Sequence, residues 1–245
     1  MTMKELLNIS KLKELAQQYN NMLYFENDPV IFPRRFADGF FIGEYCLQDV
    51  EIAGILAAHL AWGRREMIVR DCRKMFNEME WKPYQYIIAG KYKDDDCSLH
   101  RTIKWSEFAG ICQNLREFYK NETTLEVLTP DQMRVLIFGR KQDPKAANKK
   151  IHMFRRWMVR NDGVVDLGIW KTISPADLII PLDVHVHRSA LEMGITSRKS
   201  ADITTAAEIT QFLSEVFPGD PCLGDYALFA YAASQNQKNN LKSKI

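Results

Sequence analysis

Apolar positions recur at helical spacing along most of the chain, and strand-like alternation is scarce. Residues 3–24 place Leu6, Leu7, Leu12, Leu15, Tyr19 and Leu23 on one face, and Asp28-Pro29 ends the pattern. The pattern changes between Glu51 and Trp62, where Ile52, Ala53, Ile55, Leu56, Ala57, Ala58, Leu60 and Ala61 leave almost no polar face. A helix apolar all round, yet too short to span a bilayer, belongs at the centre of a core. Residues 65–79, 83–89 and 105–120 read as further helices. Pro130 opens a short helix that Gly139 stops, and another runs from about 146 to 160. Helices over 200–217 and 223–234 follow. Residues 29–46, rich in Pro, Gly and aromatic side chains, read as an ordered linker. The expectation is an all-α protein.

Composition adds bounds rather than a function. The chain has 245 residues, 46% hydrophobic and 26% charged, enough for one large domain or two small ones with a real core. A net charge of +2 marks no general polyanion binder. Basic residues nevertheless cluster at Arg64-Arg65, between Lys141 and Lys150, and at Arg155, Arg156 and Arg160. The five cysteines are scattered, with no CxxC pair, which predicts reduced thiols and argues against structural zinc or an iron–sulfur loop. No signal-peptide pattern or apolar run near 18 residues is found, so the expected location is cytoplasmic with no membrane contact.

Two stretches carry candidate chemistry. In Ile179-Ile180-Pro181-Leu182-Asp183-Val184-His185-Val186-His187, an apolar lead-in delivers a single carboxylate to the start of a helix that Gly194 ends. Asp183 suits a helix N-cap, and it equally suits a charge held at the mouth of a pocket. The second stretch is the helix after the basic turn at 140–145. At about 100° per residue, Ile151, Met153, Phe154, Trp157 and Met158 form one apolar arc. Lys150 falls near the centre of that arc and Lys149 at its edge, toward solvent. A lysine drawn out of water has its pKa lowered and becomes a nucleophile, unless it snorkels past the helix end. His185 and His187 have no third partner of metal-ligand type, so no metal is expected.

Several strings occur together: Asp49-Val50-Glu51-Ile52-Ala53-Gly54 through Trp62-Gly63-Arg64-Arg65, Met153 to Arg160, Val165 to Lys171, Pro181-Leu182-Asp183-Val184-His185, and Asp225-Tyr226-Ala227-Leu228-Phe229. In this order the chain resembles an uncharacterised bacterial family, a domain of unknown function. That family in turn resembles the helix-hairpin-helix (HhH-GPD) DNA glycosylases, and most nearly the archaeal 8-oxoguanine DNA glycosylases.

The resemblance implies a two-lobed helical fold with an atypical hairpin, since the usual Leu-Pro-Gly-Val-Gly string is absent. Residues 45–147 would form one lobe, including the hairpin, and 1–44 with 148–245 the other. It implies base excision with AP-lyase activity on a damaged base, an oxidised purine being one candidate, with Lys150 and Asp183 catalytic. Trp62, Phe154, Trp157, Asp225 and Phe229 would line the base pocket, with Trp170 a further candidate. Arg64, Arg65, Lys141, Lys145, Lys149, Arg155 and Arg156 would meet the DNA backbone. The partner would be duplex DNA in the nucleoid, with no cofactor and no obligatory protein partner. Two other readings stay open: a catalytically silent nucleic-acid-binding protein on the same fold, and a helical protein-interaction domain.

Overall fold

The computed structural model describes residues 3–242, with side chains from Leu7 to Ala232, so Leu6 lies outside the described side chains. The chain is mostly helical. Its helices are α1 (Met3–Tyr19), α2 (Ile31–Phe41), α3 (Leu47–Leu60), α4 (Arg65–Glu78), α5 (Pro83–Ala89), α6 (Trp105–Phe118), α7 (Pro130–Gln132), α8 (Lys149–Val159), α9 (Val184–Glu192), α10 (Ile203–Val216) and α11 (Leu223–Lys242). A small antiparallel hairpin, β1 (Ser98–His100) with β2 (Ile103–Lys104), is the only sheet among the described residues.

Helix α3 is the central element, as its all-round apolar pattern predicts: every residue from Asp49 to Leu60 is buried. It packs on α2 and α8. Gly54 permits the α8 contact, because a Cβ there would come within 2.8 Å of the Phe154 ring. Glu51, the one carboxylate deep in this helix, accepts from Tyr119 Oη at 2.8 Å, Leu125 N at 3.0 Å and Trp170 Nε1 at 2.7 Å, and also from Thr124. Burial still pushes its pKa up against those donors.

Residues 29–46 are not a linker. Most of them form α2, in which Pro33 falls in the first turn, where a missing N–H costs nothing. Gly39 is retained because the Tyr45 ring occupies the space of a Cβ, 2.3 Å from where it would stand.

Helix α8 starts at Lys149 rather than 146, because Asn148 takes a left-handed conformation with φ 43°. Before it, α7 continues into a π-helical turn over Met133–Ile137, and Gly139 stops that turn at φ 59°. The far end of α8 is closed by the segment that follows. Leu167 N donates to Trp157 O at 2.7 Å and Trp170 N to Met158 O at 2.8 Å, satisfying carbonyls the helix leaves free. No helix among the described residues is long and apolar enough to cross a membrane.

Candidate active site

The α3–α4 turn, the α8 stripe and the starts of α9 and α11 enclose a cleft of about 580 Å³. Its α8 wall is Lys149, Met153, Arg156 and Trp157, a run at helical spacing down one face. Asp183 faces Lys149 from the start of α9. One carboxylate oxygen, Oδ1, caps the helix by accepting from His185 N and Val186 N, both at 2.8 Å. The other, Oδ2, lies 3.4 Å from Lys149 Nζ. The cap and the charged site are therefore one residue using two oxygens: the helix N–H groups fix the carboxylate in place while leaving Oδ2 free to meet the amine.

Lys150 does not reach this cleft. Its side chain turns toward α3 and donates to the His59 carbonyl at the end of that helix. Burial, then Arg140 and Lys149 nearby, hold its pKa down to about 8. The expected placement of Lys150 beside Asp183 is thus corrected to Lys149. The physical reason is that the centre of α8's apolar arc faces the core, and a cleft opens at the edge of such an arc.

The remaining candidates divide. Trp157 is buried in the cleft wall, Trp62 stands half-buried at its rim, and Phe229 lines it at 37% exposure. Phe154 and Trp170 are corrected out of the pocket: they pack edge to face in the core, 5.1 Å between ring centres. Asp225 lines the cleft, with Oδ2 accepting from Arg156 Nη1 at 2.6 Å and Oδ1 buried without a hydrogen bond. Burial, against the pull of Arg156, raises its pKa to about 6.

Among the predicted backbone contacts, Arg64, Lys141 and Lys145 are exposed. Arg156, at 6% exposure, is not available to solvent phosphate. It bridges Asp225 and Asp166, because α8 is covered on this side as well. Arg155 donates to Leu128 O at 3.0 Å, and Arg65 to Tyr24 O at 2.8 Å with Asp28 at 3.6 Å, so both are engaged within the protein.

Sequence reasoning missed the layer beneath the cleft. Arg160 binds Asp220 through two hydrogen bonds of 2.8 Å and also contacts Asp166, which accepts from Tyr226 Oη at 2.8 Å. The spacing of Arg156 and Arg160, one helical turn apart, was the available signal. It also missed the device that sets Trp62. His100 Nε2 donates to the Trp62 carbonyl at 2.9 Å, while Nδ1 lies 2.7 Å from Asp71 Oδ2. Gly63 follows at φ 107°, a conformation open to glycine. Arg101 lies over the Trp62 ring at 4.1 Å.

His187 Nε2 is 2.8 Å from Arg198 O, and His185 lines the cleft beside Phe229. Among the described residues, no group of three His, Cys, Asp or Glu side chains is placed to hold a metal. A broader groove of about 810 Å³ lies elsewhere, at Glu44, Asp49 and Glu80. Asp49 there is already committed to Tyr84 N at 2.9 Å and Cys46 N at 3.0 Å.

The fold and the cleft together define a helical protein with an amine and a carboxylate opposed in one aromatic-walled cavity. The model of the family described as Protein of unknown function (DUF2400) matches residues 28–135 and 128–234, and the chain belongs to that family. Among curated proteins and among solved structures, nothing matches the chain.

Proposed function

We propose that the protein is a base-excision DNA glycosylase with AP-lyase chemistry, using Lys149 and Asp183 on a nucleotide turned out into the cleft. The observation that carries this reading is the Lys149–Asp183 pair, 3.4 Å apart on the wall of a cavity of about 580 Å³. The order of a lysine opening a helix and an aspartate capping a later one also resembles the HhH-GPD enzymes. On that likeness the segment 139–148 is the atypical hairpin, and the cleft lies where two lobes meet.

Each group has a role. Lys149, its ammonium proton passing to the departing base, attacks C1′ of the sugar, and the C–N glycosidic bond breaks. The base departs with the bonding pair and takes up a proton. The carboxylate of Asp183 stabilises the positive charge that builds on the sugar. The nitrogen then gives a proton to O4′ as the C1′–O4′ bond opens, the resulting Schiff base acidifies C2′, and β-elimination breaks the C3′–O bond. The base must leave the stack first, and Trp62, Trp157 and Phe229 offer aromatic walls to receive it. Asp225 Oδ1, an acceptor without a partner, suits an N–H on the base edge. Arg64, Lys141 and Lys145 are the exposed cations for the strand.

Borohydride trapping on duplexes with an abasic site or an oxidised guanine tests the proposal. A covalent adduct is expected, lost in Lys149→Gln. Lys150→Gln, which keeps the Lys149 amine, still forms one. DNA binding without adduct or base release would leave a catalytically silent nucleic-acid-binding protein. Absent, salt-insensitive DNA binding would leave a protein-interaction domain.

A further inference from the structure

We propose that the β1–β2 hairpin is a clamp that fixes the Trp62 ring as a wall of the cleft, with His100 and Arg101 as positioning residues. The clamp's purpose rests on the reading of the cleft as the place of a turned-out base; its geometry does not.

The two strands run for three and two residues, too few to hold together without packing. The hairpin is anchored on α4. Lys74 Nζ donates to Ser98 O at 2.9 Å, Asp71 Oδ2 meets His100 Nδ1 at 2.7 Å, and Leu99 and Ile103 are buried. From that anchor it reaches the α3–α4 turn twice. From within, the fully buried His100 ring carries the Asp71 anchor across to the Trp62 carbonyl, 2.9 Å from Nε2. From the solvent side, Arg101 lays its guanidinium on the Trp62 ring at 4.1 Å. Arg101 does not line the cleft, so it covers the ring without filling the space the ring bounds.

The backbone on both sides is shaped for this contact. Arg101 sits at the hairpin tip with φ 53°, a left-handed conformation in which glycine would be at ease and an L side chain is strained. Opposite it, Gly63 stands at φ 107°, and a Cβ there would come within 2.6 Å of Arg101 Nη1. A side chain is kept where the backbone disfavours one, and left out where it would block the guanidinium. Strain held in this way marks a position whose side chain is used. A ring already fixed needs no ordering when a base stacks on it, which is how preorganisation adds to binding.

Arg101→Gly is the informative variant, because it relaxes the backbone while removing the guanidinium, and so leaves the fold standing. His100→Asn is its companion: it keeps a donor for Asp71 and withdraws the one at the Trp62 carbonyl. The full chain, with its five tryptophans, is labelled with 5-fluorotryptophan, and the Trp62 signal is assigned from Trp62→Phe. We expect fluorine relaxation to show independent motion of the Trp62 ring in both variants, with the other tryptophan signals as rigid as in wild type. Single-turnover release of oxidised guanine should fall about tenfold in Arg101→Gly, the scale of one base–aromatic stack. Borohydride trapping on an abasic duplex, which has no base to stack, should stay at the wild-type level. A Trp62 ring that remains rigid in Arg101→Gly overturns the proposal. So does release that is unchanged, or release and trapping that fall together, which would make Arg101 a strand contact. If wild type neither releases a base nor traps an abasic site, the glycosylase reading falls, and fluorine relaxation alone decides whether the clamp exists.

Discussion

Lys149 and Lys150 are adjacent in the chain and enter cavities of opposite construction. The cleft on the Lys149 side is large, aromatic-walled and charge-balanced: Asp183 answers the lysine and Arg156 answers Asp225. The cavity on the Lys150 side is small and one-signed, closed by the carbonyl end of one helix and the amide end of another. On the reading proposed above, the paired amine serves chemistry on a base. The cations of the smaller cavity are answered in part from outside its walls, Lys149 by Asp183 at 3.4 Å and Arg134 by Asp143 at 3.9 Å. A rotation of about 100° between successive residues is enough to give the two lysines these different surroundings.

The sharpest way to break this comparison is Asp183→Asn. If the cleft is the reacting site, base release falls by about 10²–10³, the scale for removing one preorganised charge from a developing cation. Single-turnover release assays check this, and base release unchanged in Asp183→Asn would remove the pair from the chemistry.

Arg156→Met probes the layer that only the cleft possesses. It strands Asp225, whose one hydrogen bond comes from Arg156, while Asp166 keeps Arg160 and Tyr226, and breaking a buried pair in this way costs about 3–5 kcal/mol. Chemical denaturation should record a loss of that order. A loss below about 1 kcal/mol would mean water already reaches the network.

How much of this was legible in the residues follows from what faces each element. Helix α3 was readable because every side is buried, so periodicity and burial agree. Asp183 was readable because an N-cap has a local signature. Helix α2 was not, since Pro33 and Gly39 look like breakers until their position in the turn and the Tyr45 ring are known. The placement of Lys150 beside Asp183 was not legible for a related reason. An apolar arc gives the direction of the core, and the cleft lies off that axis. Arg156 looked like a solvent-facing cation because nothing local reveals that α11 and the 162–170 segment cover the second face of α8.

Asp225 allows a finer test through pH. Its carboxyl titrates near 6 in the fold against an ordinary 3.8, so between those values the folded state holds the extra proton. Wild type should therefore lose stability relative to Asp225→Asn as pH rises from about 4 to 7. The comparison must be relative, because buried His152, drawn down to about 4, acts in the opposite sense over the same range. Arg156, Asp183 and Lys149 all act on Asp225, so a flat difference would mean these neighbours cancel its burial.

The smallest effect belongs to Lys150, and its sign is informative. The folded state holds this amine at about 8 against an ordinary 10.5, so across that interval the unfolded chain binds the extra proton. Wild type should gain stability relative to Lys150→Met as pH rises from about 7.5 to 10, by about 1 kcal/mol once partial exposure is discounted. Lys149 borders the Lys150 cavity but already faces Asp183, so Lys149→Met should leave most of this pH response in place. Denaturation curves at two pH values decide the matter. A flat difference would mean that the His59 carbonyl and the Trp62 ring, 5.8 Å from the ammonium, offset its burial.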